Sequence, residues 1–292
     1  MLTAVFILSG YGTFAQGLEL AGFSFTRFPG AQVVDSPINQ EIEVNEYNFF
    51  LNIPKPLKNE KTVIVNGLQN KLVTPFAEND IAVGIDGENL HLIGYRLMVL
   101  HQLKNDWRLL ALVNPALSST FSTSLDSDDF LLNGTLQFIK QKTEKLSYGG
   151  GLLFTSRFGN PILLPTLQLT LKTEKSQFKM VLPRSISYER YFGDFTAGLE
   201  ASVDGSLYNV NYAIDTGGSL AEPVDKVGYT RVIVGPKLSY RIGEVLKLNA
   251  SGGIAAVRRL ELQSDFFENL TNEVEASTFL QLGISIVPPK KN

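Results

Sequence analysis

The chain has 292 residues, a formal net charge of −3, 44% hydrophobic residues and no cysteine. The small charge gives a nucleic-acid partner no electrostatic support, and the lack of thiols excludes disulfides, thiolate metal sites and a lipid anchor on an N-terminal cysteine. After residue 16 no segment approaches the ~18 consecutive apolar residues of a membrane-spanning helix.

Residues 1–15 have the features of a secretory signal. A short apolar stretch occupies residues 4–8, and Thr13 and Ala15 are small residues at the two positions that a signal peptidase reads. No Lys or Arg precedes the apolar stretch, so an N-terminal strand or tail is the alternative. We expect a signal peptide over residues 1–15, cleavage after Ala15, export, and a single domain over residues 16–292.

From residue 18 to residue 287, apolar and polar residues alternate over long segments. Leu163, Leu167 and Leu171 share one parity, for example, whereas Thr166 and Gln168 share the other. Strand side chains alternate with period two, so the pattern predicts strands with one apolar and one polar face. Fourteen strands are predicted, at 17–28, 41–53, 61–74, 88–103, 107–121, 130–142, 145–157, 161–173, 176–183, 185–192, 195–212, 227–242, 245–262 and 273–288.

The connections between these strands are short and long in turn. Tight polar turns are predicted at 58–60, 104–106, 143–145, 173–176, 193–194 and 243–244, where the Gly, Asn, Asp and charged residues that short hairpins use are concentrated. Longer connections lie at about 29–40, 75–87, 122–129, 214–226 and 263–272. This alternation is typical of an outer-membrane barrel, in which the periplasmic turns are tight and the outer loops extended.

The strand count depends on how residues 176–192 are divided. We divide this run at Pro183, because a proline inside a strand cannot donate to the ladder. Without that division the count is odd, and twelve strands remain possible if the first two do not both join the barrel. After Gly205 the apolar parity changes to Tyr208, Val210 and Tyr212, and we predict a bulge at Gly205 because one extra residue exchanges the two faces.

An apolar outer face and a polar inner face predict an all-β fold, a transmembrane antiparallel up-and-down β-barrel of about fourteen strands. A soluble periplasmic or secreted β-sandwich that binds a ligand also alternates and is the alternative. Two features weigh against the sandwich. The strands exceed the usual five or six residues of globular sheets, and many polar faces carry uncharged Asn, Gln, Ser and Thr, as expected of a lumen.

Charged residues on the polar parity are candidates for a lumen lining. In such a position mixed charges either pair and plug a narrow barrel or tune the selectivity of a pore. The sequence does not decide between these two roles. The predicted lumen-facing charges are Arg96, Glu200, Asp204, Arg231, Lys237 and Arg241.

The two histidines of the chain, His91 and His101, have the same parity on one predicted strand. Ten residues with a rise of ~3.3 Å, tilted by ~40°, span about 25 Å, the height of the apolar band of a membrane barrel. We therefore predict that both lie at the membrane interfaces. A Ser-His hydrolase needs a histidine as base, so an outer-membrane hydrolase is kept only as a third reading, and we predict no enzyme, metal or cofactor.

Two further clusters have structural interpretations. Asp126, Asp128 and Asp129 lie in one predicted loop, but their spacing matches no EF-hand calcium loop, and a solvated acidic loop tip is predicted instead. Residues 149–151 are three consecutive glycines inside a strand. No helix or Lys follows them as in a phosphate-binding loop, so a bend or close packing site is predicted.

Several segments resemble those of a known group of proteins. They are a Gly-Asn-Pro entry at 159–161, a strand that ends Leu182-Pro183, a short strand with Tyr188, and a Gly-containing partner strand at 195–199, with residues 47–54 in the same style. In these features the chain resembles an uncharacterised family of outer-membrane β-barrel proteins of unknown function, common in Bacteroidota-type bacteria. The resemblance implies a fold and a location but no known activity.

The combined expectation is an integral outer-membrane barrel with a non-enzymatic role, either passive transport of small solutes or surface structure. Barrels of this strand number can leave a lumen, whereas eight-stranded barrels are filled by side chains. The expected partners are outer-membrane lipid, the barrel-insertion machinery and small solutes, with no nucleic acid. The oligomeric state and the solute are left open.

Overall fold

A computed structural model describes residues 18–34, 40–78, 88–156, 160–214, 222–264 and 269–289. The predicted signal peptide and its cleavage site at Ala15 lie outside the described residues. The strands are β1 (Ala21–Gln32), β2 (Glu41–Pro56), β3 (Thr62–Glu78), β4 (Leu90–Gln102), β5 (Trp107–Ser119), β6 (Phe130–Thr143), β7 (Leu146–Thr155), β8 (Ile162–Lys172), β9 (Ser176–Leu182), β10 (Ser185–Phe192), β11 (Phe195–Ile214), β12 (Glu222–Ile242), β13 (Leu246–Gln263), β14 (Leu270–Val274) and β15 (Ser277–Ile286).

These strands form one closed antiparallel sheet. Consecutive strands pair from β1 to β13, and β15 pairs with both β13 and β1, which closes the ring. The short β14 pairs with β13 beyond β15, so β14 and β15 are two segments of the fourteenth strand. The predicted count of fourteen and the barrel fold are confirmed, and the twelve-strand and β-sandwich alternatives are wrong.

All six predicted tight turns lie at one end of the barrel, where β1 begins and β15 ends. We call this end the short-turn end and the opposite end the long-loop end. Asn105 and Asp106 both have positive φ, near 54° and 56°, as the central residues of a type I′ hairpin require. Asn59 bonds the turn backbone, because its Oδ1 accepts from the N–H of Thr62 at 3.0 Å. Residues 183–184 separate β9 from β10, as predicted from Pro183.

The outer face of the barrel is an apolar belt. Phe49, Ile53, Leu167, Leu199 and Leu280 are each about half exposed or more, although water would strongly disfavour so continuous an apolar surface. Alternate positions on the same strands carry the polar residues, which face inward. The molecule therefore has the surface of an outer-membrane β-barrel, apolar toward lipid and polar toward the lumen.

The described residues contain no helix long and apolar enough to cross a membrane. Within the same residues, no group of three or more His, Asp or Glu side chains could hold a metal ion.

The glycines at 149–151 mark a close approach of two strands, as the sequence predicts. A Cβ at Gly149 would lie 2.2 Å from the Phe138 carbonyl oxygen, and one at Gly151 would lie 1.8 Å from that of Leu136. Both glycines are on the inner face, while Gly150 faces outward with its nearest contact at 3.1 Å. The backbones of β6 and β7 can approach this closely only where the inner positions have no side chain.

The predicted bulge at Gly205 is wrong. The pairing of β11 with β12 runs without a shift from Phe195 through Gly205 to Asn209, so Tyr208 stays on the inner face of β11. The parity becomes apolar there because the lumen itself becomes apolar toward the long-loop end. A change of environment produced the pattern at Tyr208, and the pairing shifts only beyond that residue, between Asn209 and Tyr212.

Candidate functional site: a lumen with two levels

The barrel lumen has two levels of different chemistry. Toward the long-loop end, inner-face apolar side chains pack into a single cluster, the apolar core. No described residue of β6 to β10 belongs to it. The apolar core consists of Phe28, Val33, Ile42, Val44, Val73, Leu90, Leu92, Ala116, Tyr208, Val210, Val224, Val227, Tyr229, Ala255, Leu260, Leu262, Val274 and Phe279.

A group of four charged side chains borders the apolar core on its short-turn side. This charge cluster consists of Glu46 on β2, Lys71 on β3, Asp204 on β11 and Arg231 on β12. Arg231 donates from Nε and Nη2 to the two oxygens of Glu46, at 2.5 and 2.7 Å. Lys71 Nζ donates to Asp204 Oδ2 at 3.0 Å and lies 3.8 Å from Glu46 Oε2. The cluster thus joins β2 and β3 to β11 and β12 across the lumen.

Burial makes this cluster a fixed element of the structure. The Glu46 side chain is fully buried, and those of Arg231 and Lys71 are 6% and 9% exposed. The bidentate geometry between Arg231 and Glu46 is the strongest form of such a pair. The guanidinium of Arg231 also lies 5.4 Å from the centre of the Phe28 ring, within the range of a cation–π contact.

The lower lumen lies between the charge cluster and the short-turn end and is polar. Lys237 Nζ donates to Glu200 Oε2 at 3.0 Å and lies 3.7 Å from Glu189, while Lys247 pairs with Glu19 at 3.1 Å. These side chains retain between 26% and 33% exposure. Charged groups that keep this much exposure inside a barrel indicate a lumen that admits water.

The structure brings four of the six predicted lumen charges into pairs. Asp204 lies 3.5 Å from Arg231, and Glu200 pairs with Lys237. Arg96 instead donates to Gln69 Oε1 at 2.8 Å, and Arg241 donates to the Pro288 carbonyl.

Sequence reasoning missed two members of the charge cluster, Glu46 and Lys71. Glu46 lies on the polar parity of its strand, opposite the outward Tyr47, so a signal was present. Nothing local distinguished it from a lumen-lining residue of ordinary exposure, because the strand that buries it lies 185 residues away along the chain.

Both histidines lie on the outward-facing positions of β4. In the pairing of β4 with β3, His91 is opposite Leu72 and His101 is opposite Thr62. His101 Nδ1 lies 2.8 Å from Thr62 Oγ1, and the His91 ring lies 5.6 Å from that of Phe121. The two histidines lie at opposite ends of one strand, and His91 is opposite Ser119, whose hydroxyl bonds Asp129. The prediction that they mark the two membrane interfaces remains a prediction.

The end of β11 contacts β5 while it remains paired with β12 through Ile214. Asn209 pairs with Ser119 in parallel, the Thr120 N–H donates to the Asn209 carbonyl at 3.2 Å, and Ser118 Oγ donates to that of Leu207 at 2.7 Å. Asn209 Nδ2 also donates to Asp129 Oδ1 at 3.0 Å. We call this contact the seam. It closes β1 to β5 and β11 to β15 around the apolar core and leaves β6 to β10 outside.

The predicted solvated acidic loop tip is only partly right. Asp126 and Asp128 are exposed, but Asp129 is 2% exposed. Its carboxylate accepts from Asn209 and from the Asp126 N–H, and it ends a short 3-10 helix at Ser127–Asp129. The Asp129 carboxylate accepts a hydrogen bond from Asn209 in the seam. The sequence of the loop alone could not show this contact with a distant strand.

The pKa of Asp129 leads to a test of the seam by pH. Burial acts to raise this pKa, but the hydrogen bonds from Ser119, Asn209 and the Asp126 N–H outweigh it, and the pKa is lowered. Asp129 therefore contributes stability above its unfolded pKa of about 3.9, and that contribution is lost as the pH falls through the folded value. We expect Asp129→Asn to be less stable than the wild type by a constant amount between pH 6 and 8, with the difference shrinking below about pH 4.

The measurement is urea unfolding of the folded, detergent-solubilised protein across this pH range. Asp128→Asn is the matched control, because Asp128 is exposed and lies 3.6 Å from Lys226. A difference for Asp129→Asn that stays unchanged down to pH 3 would show that the carboxylate does not hold the seam.

Solved structures with a similar fold are outer-membrane proteins. The COG4313 outer membrane channel from Pseudomonas putida F1 has a TM-score of 0.48 and 9% identity, over 94% of this chain and 98% of that one. A mutant of the TodX monoaromatic hydrocarbon channel has a TM-score of 0.51 and 10% identity, over 93% and 90% of the two chains. At this identity the likeness shows the fold alone.

No curated protein sequence matches the chain. One family profile does, over residues 39–287, which include all the strands except β1. The resemblance to an uncharacterised family thus has a definite counterpart: the chain belongs to the family described as a domain of unknown function, DUF6268.

Proposed function

We propose that the protein is a passive outer-membrane channel for small solutes, without enzymatic activity. The observation that carries the proposal is the hydrated lower lumen, in which ion pairs such as Lys237 with Glu200 stay about one-third exposed inside a closed barrel. A purely structural barrel would gain nothing from keeping charges in water at its centre. A lumen of this kind admits solutes from the short-turn end.

The charge cluster and the apolar core make the route narrow. They cross the lumen above the lower level, and the bidentate contact between Glu46 and Arg231 joins opposite walls there. We therefore expect a conductance far below that of a wide porin. The TodX channel is named for a monoaromatic hydrocarbon, and a barrel of the same fold is compatible with small solutes in general.

The first test is the current through planar lipid bilayers that contain the purified, folded protein. We expect small discrete steps with a preference for anions, because Arg184 lies within electrostatic range of both Arg96 and Lys179, and Glu189 and Glu200 offset only part of this positive charge. Lys179→Gln should lower the anion-to-cation permeability ratio about twofold, the effect of one partly hydrated charge. Lys175→Gln, in the exposed turn after β8, is the control. Folded protein that carries no current would exclude a water-filled channel.

A further inference from the structure

Arg258 on β13 is a buried cation to which no carboxylate of the described residues is bonded. The residue is 1% exposed and lies directly opposite Arg231 of β12, at the level where the charge cluster meets the apolar core. Its Nη1 donates to the Ile42 carbonyl oxygen at 3.3 Å. Its Nε and Nη2 are buried and have no hydrogen-bond partner. Buried polar groups in proteins are nearly always paired, and a charged donor left without a partner is costly.

The two unbonded nitrogen atoms form one edge of the Arg258 guanidinium. Nε and Nη2 present two parallel N–H groups, and Arg231 uses the same two atoms to hold the Glu46 carboxylate at 2.5 and 2.7 Å. A planar carboxylate accepts both hydrogen bonds at once, which is the strongest geometry for such a contact. The neighbouring pair therefore shows, in the same lumen, which kind of group the free edge of Arg258 fits.

The carboxylates of the charge cluster are already bound by other cations. Glu46 accepts from Arg231 through both oxygens and lies 3.8 Å from Lys71. Asp204 accepts from Lys71 at 3.0 Å and lies 3.5 Å from Arg231. Lys71, Arg231 and Arg258 thus face two carboxylates, and one positive charge is uncompensated among the described side chains of this group. A ligand with a single negative charge would balance it, whereas a doubly charged oxyanion would leave an excess of negative charge.

The surroundings of Arg258 are aromatic and apolar. Its guanidinium lies 6.0 Å from the centre of the Phe28 ring, and Val274 of the apolar core is opposite Arg258 on β14. The buried phenol of Tyr229 lies within electrostatic range. A charge-assisted hydrogen bond is stronger in such an environment than in water, and the transfer of a large hydrated anion into it is costly. These neighbours favour a carboxylate on a short apolar body.

We propose that the Nε and Nη2 edge of Arg258 is a binding site for the carboxylate group of a small monocarboxylate. The site lies at the boundary between the two levels of the lumen, one strand away from Arg231. The proposal adds a ligand class to the proposed channel and rests on that function only for the role of the ligand as a solute. Binding itself can be tested whether or not the barrel conducts.

The first experiment measures urea unfolding of the folded, detergent-solubilised protein while sodium acetate replaces sodium chloride at constant ionic strength and neutral pH. A ligand that binds only the folded state raises the urea midpoint by mass action. Above the dissociation constant, each tenfold rise in acetate should raise the ratio of folded to unfolded protein about tenfold. Acetamide, the neutral isostere, should leave the midpoint unchanged. A midpoint that acetate raises no more than acetamide does would overturn the site.

Substitutions of Arg258 locate the acetate effect. Arg258→Met should lose it, and Arg258→Lys, which keeps the charge but not the planar pair of N–H groups, should need about tenfold more acetate for the same midpoint shift, the loss expected for one charge-assisted hydrogen bond. Arg259→Met is the matched control, because the Arg259 side chain is 48% exposed and pairs with Glu273. Equal acetate dependence in Arg258→Met and Arg259→Met would overturn the assignment. If Arg258→Met does not fold, Arg258→Lys decides in the same comparison.

Bilayer current recorded on the same preparations separates this site from the proposed channel. An acetate effect that requires Arg258, without current, would keep the binding site and remove the channel. Current with no acetate effect, or with an effect that Arg258→Met retains, would keep the channel and overturn the site. Current together with an acetate effect that requires Arg258 supports a channel whose lumen binds small monocarboxylates.

Discussion

Glu46→Gln is expected to lower the free energy of unfolding by about 3–5 kcal/mol, because it removes the fully buried carboxylate and leaves Arg231 and Lys71 to share the partly exposed Asp204. Removing one partner of a buried pair costs more than the pair itself contributes, since the remaining charge stays in the protein interior. The loss is measured by urea titration in detergent, with the shift in electrophoretic mobility on heating as the measure of folded protein.

Glu43→Gln is the matched control on the same strand. Glu43 pairs with Arg27 at 3.0 Å, but the Arg27 side chain is 56% exposed, and exposed pairs contribute roughly 0–1 kcal/mol. We expect Glu43→Gln to stay within that range. If the two variants were equally stable, the charge cluster would not be a buried structural element.

A double variant keeps the test informative if Glu46→Gln does not fold. Glu46→Leu combined with Arg231→Met removes both charges at once, and well-packed apolar replacements of buried pairs are often neutral. We expect this double variant to be more stable than Glu46→Gln and to form the heat-modifiable barrel. A double variant as unstable as the single one would show that the loss comes from packing and not from the unpaired charges.

Side-chain parity and turn composition predicted most of the fold. The strand division at Pro183 and the turns such as Asn105-Asp106 depend on local backbone chemistry, which acts over a few residues and can be read directly. The same is true of the outward Leu163, Leu167 and Leu171 of β8. These predictions needed no knowledge of which strands meet across the lumen.

The parts that could not be predicted depend on contacts between distant strands. The inward apolar residues Tyr208 and Val210 were attributed to a bulge because a polar lumen was assumed along its whole length. Only the seam, where Asn209 meets Ser119 and Asp129, explains why the upper lumen is closed and apolar. Sequence alone could not place residues from β5 and β11 against each other, because no local pattern encodes a contact that bypasses five intervening strands.

The short hairpin of β9 and β10 was present in the sequence as a length. The strands 176–183 and 185–192 were predicted and are short, but their shortness had no meaning until the structure showed that the pairing of β8 with β9 stops at Leu167 with Leu182. A strand length becomes informative only against the bilayer thickness and the heights of its neighbours.

Gly151→Ala is expected to destabilise the barrel by about 3 kcal/mol, the upper part of the range for overpacking. An added Cβ would lie 1.8 Å from the Leu136 carbonyl oxygen and 2.8 Å from the Gln137 Cα. Both are backbone atoms that cannot rotate away, so β6 and β7 must separate. The ladder hydrogen bonds between the two strands weaken as a result.

Gly150→Ala is the control within the same glycine run. Its added Cβ faces outward and meets the Thr166 carbonyl oxygen at 3.1 Å and a Leu167 methyl group at 3.5 Å, which needs only a small adjustment. We expect a cost below about 1 kcal/mol, since the change also reduces the entropy of the unfolded chain. Urea titration measures the free energy of unfolding of both variants. An equal loss in the two would show that the inner face at β7 is not closely packed.

The close approach of backbones at the inner glycines of β7 also occurs elsewhere in the barrel. Inner glycines that a Cβ would force against neighbouring backbone occur on β7, at Gly149 and Gly151, and again on β11 and β12, at Gly198 and Gly235. Gly253 on β13 approaches the Val234 carbonyl oxygen in the same way, at 2.2 Å from an added Cβ. Close approach of neighbouring backbones at inner glycines therefore occurs on both sides of the short hairpin of β9 and β10, and Gly151→Ala against Gly150→Ala tests how much stability it contributes.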